Sequence, residues 1–163
     1  MVIVINFWEQ ILEAYKFTGT FNPIILAEYL GLSIDYFEPD IMRNSSAFTC
    51  FKHNIIVLNT ELPDSDTTFA LVHEIAHNLN DRDSYHKNLS YICEKEANRS
   101  AVKLLVYFYF EIFSHETFNN IYILMKSMGI PSYLEKEVEK QIKSFYNSPF
   151  CYNNTGYSCG AVI

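Results

Sequence analysis

The chain has 163 residues, 49% of them hydrophobic, with 12 basic against 19 acidic side chains and a formal net charge of −7. That length supports one core and one domain, and an acidic balance with no Lys/Arg cluster argues against direct nucleic-acid binding. Four cysteines, with no C-x-x-C pair, are too sparse for a disulfide-stapled scaffold. Cys50 and Cys93 read as small buried apolar side chains. Cys151 and Cys159 sit in a polar tail, where they pair or stay free. The opening MVIVINFWEQ is apolar but lacks the basic segment of a signal peptide. The longest apolar run, Leu104 to Phe113, is broken by Glu111 and too short to span a bilayer. These features together predict a soluble, cytoplasmic protein with no membrane role.

In chain order, Asn6 to Lys16 predicts a first helix with Phe7, Ile11, Leu12 and Tyr15 on one side, followed by a turn around Gly19. Pro23 stands at a second helix start, Ile24 to Tyr29 continue it and Gly31 caps it. Ser33 to Phe37 alternates as a strand does, and Pro39 to Ser45 reads as a loop. Ala47 to Phe51 and Ile55 to Asn59 predict an antiparallel hairpin around Lys52-His53-Asn54. A helix from about Thr67 to Asn80, capped by Ser65 or Asp66, precedes a polar loop over 81–88. A long helix from Ser90 to Phe113 and two more, near Glu116–Met128 and Pro131–Tyr146, complete the pattern. In the last of these Leu134, Val138, Ile142 and Phe145 are spaced as a core face. The fold class is α+β and mostly helical, with a small three-stranded, mainly antiparallel sheet packed on one helix. Residues 1–147 form one domain, and 148–163, without periodicity, a loosely ordered tail.

The chemistry is concentrated at His73-Glu74-Ile75-Ala76-His77. Residues four apart share a helix face, so both imidazoles address one Zn²⁺ while Glu74 serves as general base toward water. Phe69, Val72, Ile75, Ala76 and Leu79 supply the apolar stripe of such a helix. The competing reading is a pair of core or surface histidines that hold no metal. Catalytic zinc takes three protein ligands. The segment after His77, Asn78 to Asp83, has no glycine–histidine continuation to supply the third, so a glutamate on the next helix is the alternative. Glu94 and Asn98 lie four apart on that helix, with Ala97 and Ala101 small enough for a close approach. Glu94 then ligates, and Asn98 accepts a hydrogen bond from the free nitrogen of a ligand histidine. Glu96 is the rival, pointing about 200° around the helix from Glu94.

The combination resembles the ImmA/IrrE family of metallopeptidases, gluzincin-like proteins associated with phages and mobile elements. Phe69 through His77 is similar to the family's F-x-x-x-H-E-x-x-H helix. Glu94-Lys95-Glu96-Ala97-Asn98, then Ala101 and Leu104-Leu105, is similar to its second motif. Ile55 to Asn59 resembles the strand before the zinc helix, and Leu26 to Leu32 an N-terminal helix. The likeness covers about residues 5–110, and residues 114–163 match only loosely. Val106-Tyr107 replaces a proline common after the Leu-Leu pair. Asp81-Arg82-Asp83 stands where a further histidine is frequent, with His86 a little later. The resemblance implies a zinc-dependent endopeptidase that cleaves a specific helix-turn-helix repressor. Tyr85, His86, Tyr91 and His115 are the oxyanion donors to consider, each also readable as an ordinary structural or surface side chain. The alternative is a non-catalytic regulator that keeps the zinc site and docks a repressor or a toxin–antitoxin partner. Tyr107-Phe108-Tyr109-Phe110 would suit such an interface, or else a helix buried on most sides.

Overall fold

Several helices start at side-chain caps. The computed structural model describes residues 6–43, 45–80, 90–113 and 118–153. Helix α1 (Phe7–Thr18) opens with a capping box: the Asn6 side chain accepts from the Glu9 N–H, and the Glu9 carboxylate accepts from the Asn6 N–H. Helix α2 (Pro23–Tyr29) is capped by Asn22 and ends where Gly31 turns left-handed at φ +73°. The Gly31 and Leu32 N–H groups then bond back to the Glu28 and Ala27 carbonyls, which closes the last turn. Strand β1 (Ser33–Phe37) follows. The segment predicted as a loop contains a one-turn helix, α3 (Pro39–Met42), which buries Met42.

Strands β2 (Ala47–Cys50) and β3 (Ile55–Asn59) form the predicted antiparallel hairpin, with Asn54 at φ +55° in its turn. The sheet order is β1-β3-β2, and β1 pairs with β3 in parallel. The sheet is therefore mixed and not mainly antiparallel. Alternation reveals a strand but not its direction. Here α3 and the residues after it carry the chain past β3 to the far edge, so β1 and β3 run the same way. Ile56 and Leu58 of β3 belong to the main core, while Val57 is buried on the opposite face.

Helix α4 (Asp64–Asn80) lies on this sheet, and the Thr49 hydroxyl on β2 donates to the Glu74 carbonyl at 3.4 Å. Helix α5 (Ser90–Ile112) packs more extensively on α4 than any other pair of elements does. Ala97 and Ala101 are buried in the core, as are Ala70 and Ala76 of α4. Tyr107, Tyr109 and Phe110 are buried too, so the aromatic stretch of α5 is core and offers no docking surface. Glu111, which breaks that run, accepts hydrogen bonds from the Thr20 hydroxyl and the Phe21 N–H and ties α5 to the α1–α2 turn.

Helix α6 (Ile121–Ser127) is capped by Asn120, and a 3-10 turn over Ser132–Leu134 leads into α7 (Glu135–Tyr146). All four predicted core positions of α7 and its approach pack into the core. Within the expected tail, Pro149–Asn153 forms a further helix, α8. Phe150 sits 5.2–5.6 Å, ring centre to ring centre, from Tyr15, Phe21 and Tyr107, and Cys151 is buried. Residues 154–163, including Cys159, lie outside the described residues. Among those described, no helix is long and apolar enough to cross a membrane.

The link between α6 and α7 is pinned at Gly129. Its φ is +64°, and a Cβ there would stand 2.1 Å from the Ser65 carbonyl oxygen in the first turn of α4. Gly129→Ala should therefore cost about 2–5 kcal/mol, the sum of left-handed strain and overpacking. Gly31→Ala, at φ +73° with nothing within 4 Å of the added carbon, should cost only the backbone part, about 1–2 kcal/mol. Urea unfolding of the two variants measures the difference, and equal losses would contradict the Ser65 contact.

Candidate metal centre

Helical spacing stacks His73 and His77 on one face of α4, and the close α4–α5 packing brings Glu94 to them. His73 Nε2 and His77 Nε2 are 3.0 Å apart. Glu94 Oε2 is 3.3 Å from His73 Nε2, and Glu94 Oε1 is 3.2 Å from His77 Nε2. Among the described residues, these three form the group whose ligand atoms converge as a metal site requires. Zinc bonds to nitrogen and oxygen are about 2.0–2.2 Å, so donors at the corners of a tetrahedron stand about 3.3–3.5 Å apart. The observed separations run from the lower edge of that spacing to slightly below it, with Glu94 presenting a different oxygen to each imidazole. Two ring nitrogens at 3.0 Å need a shared proton or a cation between them. Burial, then His77, lowers the His73 pKa, with Glu94 and Asn98 acting the other way. Burial and the paired imidazole thus favour neutral His73, the form that binds a metal. The donor set fits a divalent cation.

Glu74 is one residue along and faces the same cleft. It is buried, and burial pushes its carboxyl up to about 7, with His77 opposing the rise and Glu94 adding to it. A carboxyl held near neutrality accepts and returns a proton easily. Asn98 lies one turn beyond Glu94 on α5. His73 Nδ1 and Asn98 Oδ1 are both buried and both lack a partner within hydrogen-bonding geometry. The Asn98 side chain nevertheless acts on His73 as a hydrogen-bonding neighbour, raising its pKa. A donor and an acceptor stranded side by side need only a small side-chain adjustment to meet.

His73, Glu74, Glu94 and Asn98 line a cleft of about 880 Å³. One wall is the Ser45–Ala47 approach to β2, an edge strand of the sheet. The end of α6 and the α6–α7 link also line the cleft, through Lys126, Ile130 and Tyr133. Glu96, the rival ligand, is exposed and lines a different cavity. Tyr91 is 77% exposed and does not line the cleft. Tyr85, His86 and His115 lie outside the described residues. Lys126 and Tyr133 were absent from the sequence expectation because no motif marks them. Their only signal is nearness to Gly129, whose role depends on a contact 64 residues away in the chain.

No curated protein and no solved structure matches this chain significantly. Residues 27–131, more than half of the 163, match the family model described as the IrrE N-terminal-like domain, peptidase family M78. The matched span runs from α2 through both metal-bearing helices to the link at Gly129 and Pro131, and a match of that extent means that the chain belongs to the IrrE N-terminal-like family of zinc-dependent peptidases.

Proposed function

We propose that this chain is an endopeptidase that cuts one cognate protein, a helix-turn-helix transcriptional repressor, with Zn²⁺ as its metal. The observation that carries the reading is the convergence of His73, His77 and Glu94 from two helices beside the buried Glu74 carboxyl. The repressor rests on the resemblance to the ImmA/IrrE family.

His73 Nε2, His77 Nε2 and a Glu94 oxygen would hold the ion. When bound, Zn²⁺ brings the pKa of water toward neutrality and polarises the scissile carbonyl. Glu74 takes the proton of the attacking water and delivers it to the leaving amine. Asn98 accepts from His73 Nδ1–H, which fixes the ring and leaves Nε2 free to ligate. Tyr133 and Lys126, which line the same cleft, would supply the donors to the developing oxyanion. The free edge of β2 offers backbone groups to an extended substrate segment.

Three outcomes test these assignments. Glu74→Gln should lower the cleavage rate by about 10²- to 10⁴-fold and keep its zinc, whereas His77→Ala should lose both. Metal content and fragment yield measured on the same samples separate the roles, and equal zinc loss in the two variants would show them wrongly divided. Asn98→Ala should weaken zinc affinity by about 10- to 100-fold, as loss of a ligand's supporting partner does. Asn98→Asp should retain affinity, and a chelator competition assay reads both. Finally, the zinc-loaded protein mixed with the repressor encoded beside it should yield one discrete fragment by mass spectrometry and little digestion of casein. A repressor that is captured and left whole would move the reading to a non-catalytic regulator.

A further inference from the structure

A second cavity, of about 380 Å³, shares no lining residue with the metal cleft. It forms where the start of α1, the end of α4, the middle of α5 and the face of α7 meet. Three cationic side chains line it: Arg99 and Lys103 from α5 and Lys140 from α7. Glu96 is the carboxylate among its described lining residues. In a chain of net charge −7 this local balance is inverted.

The cations are unequally satisfied. Arg99 Nε approaches Glu137 Oε1 at 3.8 Å, but Gln141 Nε2 already donates to that oxygen at 2.6 Å. Glu9, the acidic group of α1 nearest the cavity in sequence, is engaged in the helix cap. Lys103 is half-buried, with Nζ 4.1 Å from the centre of the Trp8 ring, and has no described carboxylate within ion-pair distance. Burial, then Arg99, lowers its pKa. Desolvating like charges side by side is costly, and an anion between them offsets that cost. Hydroxyl donors are also present. Ser144 lines the cavity, and Ser100 there accepts from Asn80 Nδ2 at 3.4 Å, which leaves its own proton to donate.

We propose that this cavity is a second ligand site, for a small phosphate-bearing anion: inorganic phosphate or a small phosphate monoester. Three cations suit a dianion better than a single carboxylate. A space equal to roughly a dozen waters admits such a molecule. The ligand would join α1, α5 and α7 beside the Asn80–Ser100 link, three residues beyond His77 on α4.

Trp8 is the single tryptophan of the chain and lines the cavity, so its fluorescence reports occupancy. The zinc-loaded protein is titrated with sodium phosphate, with sodium chloride holding ionic strength constant. A saturable change in Trp8 emission and a raised unfolding midpoint are expected. Lys140→Gln, at an exposed position, should weaken the response about tenfold, the loss typical of one charged hydrogen bond. Lys103→Gln should weaken it at least as much. If Lys103→Gln fails to fold, Lys140→Gln alone decides. A parallel titration with a nucleoside 5′-monophosphate tells the two sources apart: tighter binding identifies an organic phosphate, weaker binding the free ion. A response matched by chloride alone, or an undiminished phosphate response in Lys140→Gln, would overturn the proposal, the latter by placing the anion elsewhere, at the metal for example. The readout involves no hydrolysis, so it stands or falls apart from the peptidase reading.

Discussion

The close approach of α4 and α5 is the constraint on which the rest depends. A helix can present two histidines by spacing alone, but the third ligand must come from another element at a fixed height and distance. Ala97 and Ala101 on one helix, and Ala70 and Ala76 on the other, are buried in the shared core and let the backbones come near. Larger side chains at those positions would hold Glu94 away from the imidazoles even with every helix intact. The other elements hold this pair in place. The sheet backs α4 through the Thr49–Glu74 contact, and the aromatic core around Tyr107, Phe110 and Phe145 fixes the far half of α5.

The electrostatics of the cleft follow from the same packing. The groups that line the cleft where the two helices meet are polar: two imidazoles, the buried Glu74 carboxyl, the more exposed Glu94 carboxyl and an amide. Left alone, several carry opposed demands. Glu94 disfavours the charge on Glu74, and His77 disfavours protonation of His73. A divalent cation answers all of them at once, because it favours both carboxylates and both neutral rings. Burial makes Glu74 a weak acid, and a divalent cation beside it would restore its charged form.

Most of this was legible from the residues. The HExxH spacing, the alanines beside Glu94, the helix start at Pro23 and the cap at Gly31 each act through neighbours within a few positions, and local rules read such signals well. The roughly 200° of helical rotation between Glu94 and Glu96 makes them alternatives, and Asn98 four residues on, with the neighbouring alanines, favours Glu94. Features that depend on distant partners were not legible. The parallel pairing of β1 with β3 depends on the route taken through α3, not on the composition of either strand. The start of α4 at Asp64, before the predicted Thr67, belongs to a turn whose Ser65 carbonyl abuts Gly129. Phe150 gave no periodic signal because a single side chain, set among rings from α1, the α1–α2 turn and α5, anchors α8. The basic cavity has no local sequence signal for the same reason: Arg99, Lys103 and Lys140 form a cluster only after α5 and α7 pack.

The split of the ligand set between two helices has a consequence for how the protein reports on itself. His73 and His77 need only a helix, but Glu94 joins them only when α4 and α5 are docked in register. High-affinity metal binding is therefore a sensor of tertiary packing. Slippage of α5 by one turn would move Glu94 about 5.4 Å along its axis and empty the site while helical content stayed constant. Metal occupancy, followed across a mutational series, would thus map which distant core residues set the register of the two helices, including those in the aromatic cluster that never approach the ion.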